Sequence, residues 1–215
     1  MSLAALLAET RDDPRAFVEL VLRARPRRWQ AEVCEELRRR LLAGERHLEV
    51  LVRSCHGAGK TALAAMLALF WTATRPGCRG LTTAPTWAAV EGLLWVEIER
   101  LYRGSLLADA GAGRLLATSL EFGPGWDLVG ASSDNPTHLE GRHGTSALRV
   151  VDEAKAVEAG VFEATEGLLD APEALDVWIS TPSIASGPFY DRGGRGGARV
   201  VRAVVTIDDL IREGL

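Results

Sequence analysis

The residues best suited to chemistry lie at 54–62: Ser54-Cys55-His56-Gly57-Ala58-Gly59-Lys60-Thr61, followed by Ala62. They match the phosphate-binding pattern G-x-x-x-x-G-K-[ST], known as Walker A, except that Ser54 replaces the first glycine. Binding a phosphate requires backbone N–H groups turned inward, which glycine permits, and a helix N-terminus whose dipole favours an anion. Gly57, Ala58 and Gly59 suit that cradle. Lys60 is placed to neutralise β- and γ-phosphate oxygens, and the Thr61 hydroxyl to ligate magnesium. About 90 residues further on, Ala147-Leu148-Arg149-Val150-Val151 ends in Asp152-Glu153, the form of a Walker B strand. Asp152 would hold Mg²⁺, directly or through water, and Glu153 would orient and polarise an attacking water. Side chains alternate along a strand, so neighbouring carboxylates can divide these two jobs. A kinase must keep water from attacking, so a carboxylate that prepares water favours hydrolysis. ATP and Mg²⁺ are the expected cofactors.

These groups need elements to hold them. Trp29, Val33, Leu37 and Leu41 recur every four positions within 28–42, and Gly44 is placed to end that segment, predicting an amphipathic helix. Leu48 to Ser54 reads as a strand, the glycine turn follows, and Lys60 to Ala73 reads as a helix. Further strands are expected at Gly80 to Ala84, Leu115 to Phe122, Trp126 to Ala131, Ala147 to Val151 and Asp176 to Ser180. Helices are expected at Thr86 to Tyr102 and Val157 to Leu169. This alternation predicts an α/β fold with a mostly parallel sheet flanked by helices, its ligand site at the carboxyl ends of the strands. Arg149 is a departure in a central strand, and is expected to snorkel out at an edge. Residues 187–202 read as a flexible basic loop or hairpin, and Asp208 and Asp209 as a helix cap before Leu210 and Ile211.

Composition sets the outer bounds. At 215 residues, 47% hydrophobic and 25% charged, the chain suits one sizeable soluble domain with its own core. The three cysteines, Cys34, Cys55 and Cys78, lack the pairing of a disulfide framework or zinc site and fit a reducing compartment. The longest apolar stretch, Ala62 to Ala73, falls short of the roughly 18 residues a membrane span needs. No secretory signal is evident at the N-terminus. The net charge of −4 excludes a wholly basic nucleic-acid binder, so any such contact must be local. Positive charge is carried almost wholly by arginine, the only lysines being Lys60 and Lys155.

With these motifs placed, the chain resembles phage terminase large subunits over nearly its whole length. The resemblance rests on an ordered set: Pro26-Arg27-Arg28-Trp29-Gln30 before a helix, Ser54 to Thr61, and Thr83-Ala84-Pro85-Thr86. It continues with Leu139-Glu140-Gly141-Arg142-His143, Val151-Asp152-Glu153-Ala154, and Ser180-Thr181-Pro182 leading to Gly187-Pro188-Phe189-Tyr190. It implies a RecA-like P-loop NTPase of the ASCE type, with an N-terminal helical region at 1–45 and an ATPase core at 46–215. The family's motor assembles as a ring, a pentamer by resemblance, on a portal protein, with a small terminase subunit as a further partner. It pumps double-stranded DNA into a capsid from the cytoplasm of an infected bacterial host, without remaining in the virion; in isolation a monomer is expected. The resemblance makes Gln30 the adenine reader, with Trp29 packed nearby, and Ser180 and Thr181 the γ-phosphate-sensing coupling motif. Where many terminases carry an arginine in the P-loop, this chain has His56. Arg142 is therefore the expected arginine finger, supplied to a neighbouring subunit, with Arg53 second. The family's C-terminal nuclease domain has no room here, so DNA cleavage is not expected of these residues.

Charge is segregated: residues 187–202 hold four arginines against Asp191, and residues 152–176 hold eight acids against Lys155. Arg192, Arg195 and Arg199 are accordingly expected to face the DNA backbone or a neighbouring subunit, giving sequence-independent, salt-sensitive binding. The alternative readings are another DNA-dependent P-loop motor of helicase type, a P-loop kinase or a nucleotide switch.

Overall fold

The computed structural model describes residues 2–132, 142–181, 186–194 and 200–214. The N-terminal region holds α1 (Leu3–Glu9), α2 (Pro14–Ala16, running into a π-helical turn at Phe17–Val21) and α3 (Arg28–Leu42). Next come β1 (His47–Ser54), α4 (Lys60–Thr74), β2 (Cys78–Ala84) and a continuous helical stretch of α5 (Trp87–Ala89), a π-helical turn (Val90–Leu94) and α6 (Trp95–Arg103). After α7 (Leu106–Asp109) follow β3 (Arg114–Leu116), β4 (Ser119–Gly123), β5 (Trp126–Ser132) and β6 (Ser146–Val151). The last elements are α8 (Ala159–Ala164), β7 (Ala174–Ser180), α9 (Pro188–Gly194), β8 (Val200–Val205) and α10 (Ile207–Arg212).

The eight strands form one sheet in the order β3-β4-β5-β2-β6-β7-β1-β8. The six from β5 to β8 pair in parallel, while β3 and β4 add an antiparallel edge. The inner strands β6 and β7 are buried at every position, as a parallel sheet covered on both faces requires. Side chains alternate between two apolar layers. Val50 and Val52 join the larger one with α3, α4 and α6, and Leu51 joins the smaller one with Val161, Phe162 and Phe189. Helix α4 is buried from Leu63 to Thr74, which explains why its sequence is apolar on all sides rather than along one stripe. Among the described residues, no helix is long and apolar enough to cross a membrane.

Topology places the chemistry. Strand β7 lies between β1 and β6, so three adjacent strands deliver Ser54, Ser180 and Val151 to the same carboxyl edge, where the site was expected.

Several local expectations are corrected. The stretch 115–122 is two short strands reversing at Ala117-Thr118, not one. The stretch 157–169 contains α8 with 3₁₀ turns at Ala154–Ala156 and Glu166–Asp170. Where a loop or hairpin is expected at 187–202, the described residues supply α9 and the start of the edge strand β8. The N-cap of α10 is Thr206 rather than Asp208, and Asp209 completes a capping box with it: the Thr206 hydroxyl accepts from Asp209 N at 3.2 Å, and the Asp209 carboxylate accepts from Thr206 N at 2.9 Å. Arg149 does not snorkel. It is buried and forms a bidentate pair with Asp176 on β7 at 2.9 and 2.6 Å, and it also donates to Phe162 O and Thr165 Oγ1.

Candidate active site

The glycine loop leaves β1 and enters α4. Gly57 (φ 75°) and Gly59 (φ 85°) occupy the left-handed region, which an L side chain adopts only with strain, so the loop depends on these glycines. Lys60 opens α4 and is nearly buried, its ammonium 3.6 Å from Glu153 Oε1. Thr61 follows in the first turn, where its hydroxyl favours the ionised form of the Asp152 carboxyl. Ala62 is partly buried behind it, and His56 is exposed on the outer side of the loop.

The strand end at β6 supplies the acids. Asp152 is buried, its backbone N–H bonded to Thr83 O across to β2 at 2.9 Å. Burial pushes its carboxyl up to about 6, opposed chiefly by the Glu153 backbone N–H, which donates to Asp152 Oδ1 at 2.7 Å. Glu153 has left-handed backbone angles (φ 47°, ψ 42°), uncommon for a non-glycine residue and concentrated at functional sites. That turn aims its carboxylate at Lys60. From β7, Ser180 Oγ contacts Glu153 Oε2 at 3.4 Å and accepts from Lys155 N at the same distance. Lys155, which the sequence reading did not assign to the site, brings its own ammonium to 4.0 Å from Glu153 Oε2. Its one legible signal was rarity, since the chain has only two lysines. Thr181 Oγ1, Ser54 Oγ and Thr83 Oγ1 are buried hydroxyls at the same strand ends with no partner among the described residues.

A threonine hydroxyl beside one carboxylate is a sparse donor set, and among the described residues no group of three His, Cys, Asp or Glu side chains is placed to hold a metal ion. That fits magnesium, which keeps several waters and takes further oxygens from substrate phosphates, better than a cation needing an all-protein cage.

Other expected site residues sit differently. Gln30 is 2% exposed, and both ends of its amide are bonded inside the protein: Oε1 accepts from Arg27 N at 2.8 Å and Nε2 donates to Gly59 O at 2.8 Å. Trp29 likewise donates from Nε1 to Ala58 O at 3.1 Å. Within the chain, Arg142 pairs with Asp127, which also holds Arg79 at 3.0 Å. Arg79 is in register with Ala147 at the amino end of β6, roughly 13 Å from Val151 at ~3.3 Å per residue. Leu139, Glu140 and Gly141 of that loop lie outside the described residues. Arg53, the second candidate, leaves β1 beside the P-loop but donates to Tyr190 O at 3.1 Å and packs over the Phe189 and Tyr190 rings. Arg192, expected to face DNA, is instead paired bidentately with Glu49 at 2.8 and 2.7 Å; Pro182, Arg195 and Arg199 lie outside the described residues.

No protein-family model matches the chain, and no curated protein is significantly similar to it. Solved structures are. The large terminase ATPase domain of Thermus phage P74-26 superposes with a TM-score of 0.68 at 23% identity, covering 92% of this chain and 87% of that one. The large terminase of a second thermophilic bacteriophage superposes at 0.67 with 12% identity, covering 87% of this chain. The same enzyme in complex with ADP gives 0.64 and 13%. This chain spans about half the length of that second protein (47%). On these superpositions, the chain has the fold of phage large terminase ATPase domains, a RecA-like α/β fold.

Proposed function

We propose that this chain is an ATP-hydrolysing motor domain of the large terminase kind, driving double-stranded DNA into a viral capsid. The observation that carries the reading is the convergence of Lys60, Thr61, Asp152, Glu153 and Ser180 at the carboxyl ends of three adjacent strands. In this reading the loop N–H groups and Lys60 bind and neutralise the triphosphate. Thr61 and Asp152 would hold magnesium, which supplies charge neutralisation at the phosphate oxygens. Glu153 positions the attacking water and takes its proton, and Ser180 aligns that carboxylate from the neighbouring strand. Coupling to DNA, assembly as a ring on a portal with a small subunit, and action in the infected bacterial cytoplasm belong to the same proposal.

The test is phosphate release with magnesium and ATP, with and without double-stranded DNA, for wild type and Glu153→Gln. The expected result is turnover stimulated by DNA, reduced about 10²- to 10⁴-fold in the variant while nucleotide binding persists. A wild-type chain that binds ATP yet hydrolyses none in either condition would contradict the reading.

A further inference from the structure

We propose that Arg27, Trp29 and Gln30 form a clamp that shapes the P-loop for polyphosphate, with Gln30 a positioning residue for the phosphate cradle. The inference rests on the nucleotide reading above and deepens it.

A loop can turn its N–H groups toward an anion only if its carbonyls point away and find other partners. Here three consecutive carbonyls are each met by one side chain from a single four-residue segment. Arg27 Nη1 donates to Gly57 O at 2.8 Å, Trp29 Nε1 to Ala58 O at 3.1 Å, and Gln30 Nε2 to Gly59 O at 2.8 Å. These donors sit at the start of α3, which Val33, Leu37 and Leu41 anchor in the core, so the clamp is rigid at its base. The fit is close: a Cβ on Gly59 would lie 3.0 Å from Gln30 Nε2.

The clamp acts on what every nucleoside triphosphate shares, the polyphosphate. Gln30 is 2% exposed and sits beneath the loop with one amide bond to Arg27 N and one to Gly59 O, a carbonyl that also accepts from Leu63 N at 3.1 Å.

The experiment measures binding of ATP, GTP and tripolyphosphate, which has no base, to the full chain by calorimetry. Gln30→Glu keeps the acceptor for Arg27 N and loses the donor to Gly59 O. Trp29→Phe keeps most of the ring and loses the donor to Ala58 O, so it tests the clamp without adding charge. Each variant is expected to bind all three probes about 3- to 10-fold more weakly, with the ATP:GTP ratio at its wild-type value. Loss confined to ATP, or unchanged affinity for every probe in Trp29→Phe, overturns the clamp. Wild-type protein that binds none of the three overturns the nucleotide reading instead, so the two failures are distinguishable.

Discussion

Glu153 stands between the two lysines of the chain, at 3.6 Å from Lys60 and 4.0 Å from Lys155. A left-handed non-glycine backbone costs roughly 1–3 kcal/mol, so this turn persists because its surroundings over-determine it. Those surroundings are the Asp152 carboxylate on the Glu153 N–H and the Ser180 hydroxyl on its side chain. If Lys155 helps to hold the carboxylate on target, Lys155→Ala should lower kcat for ATP about two- to five-fold, the range open to a partly exposed pair worth up to ~1 kcal/mol. The KM should hold and Lys155→Arg should restore turnover; an equal loss in both variants would rule out a role for charge. The cysteines make a separate prediction. Cys34 and Cys78 are fully buried and burial pushes their thiols up to about 12, whereas Cys55 is a partly exposed member of the P-loop. Thiolate is the reactive form, so iodoacetamide at neutral pH should modify native protein at Cys55 before the other two, and ATP should slow it. Peptide mapping that finds Cys34 or Cys78 labelled first would contradict the packing around them.

At the scale of elements, β6 and β7 are joined by more than their ladder. Arg149 and Asp176 face each other within the buried sheet, and Arg149 continues to Phe162 O and Thr165 Oγ1, fastening the segment around α8 to the strands that carry Asp152 and Ser180. Removing Arg149 leaves the buried Asp176 carboxylate with only Arg192, 3.9 Å away, so Arg149→Met should cost about 3–5 kcal/mol in urea unfolding, and Arg149→Met with Asp176→Leu should recover most of it. A double variant no more stable than the single one would mean that the pair is not the source of the loss. This pair also shows why the sequence was misleading at Arg149: its partner is 27 residues away, and local pattern carries no sign of it. Elements with a strong local period or a valine-rich run, such as α3, β1, β6 and β7, were legible because burial selects those patterns. Helix α9 was hidden by its glycines, and β8, though valine-rich, begins inside the glycine- and arginine-rich stretch before it and so blends into that loop-like composition; the partner of Arg192, Glu49, lies on a strand far away in sequence. The site was legible where its residues are consecutive, at Lys60-Thr61 and Asp152-Glu153. It was not legible where topology assembles it, as with the clamp from α3, whose donors meet P-loop carbonyls 29 or 30 positions away.

For the whole molecule, the boundary that matters is whether residues 1–45 can part from the sheet. Leu6, Phe17, Val18, Val21 and Leu22 lie in the same apolar cluster as α4 and the strands, with the Phe17 ring edge-on to Phe70 at 5.6 Å. Polar contacts run the same way. Arg75, at the end of α4, stacks on Trp71 and pairs with Glu173 and Asp12, while Arg11 pairs with Glu173 from the N-terminal region. Burial pulls the Arg75 guanidinium down to about 10 despite Glu173 beside it, so this charge is well removed from water and relies on those partners. Burying five such side chains contributes on the order of 10 kcal/mol, at roughly 2 kcal/mol each, comparable with the 5–15 kcal/mol that stabilises a whole domain. A fragment of residues 46–215 would lose that contribution, the Asp12 partner of Arg75 and all three donors to the P-loop. The intact chain should therefore unfold in urea as one transition, with fluorescence and circular dichroism changing together. The 46–215 fragment should bind a hydrophobic dye and fail to bind ATP. Two separate transitions, or a fragment that binds nucleotide with wild-type affinity, would show that the helical region is an appendage to the core and that the P-loop keeps its shape without it.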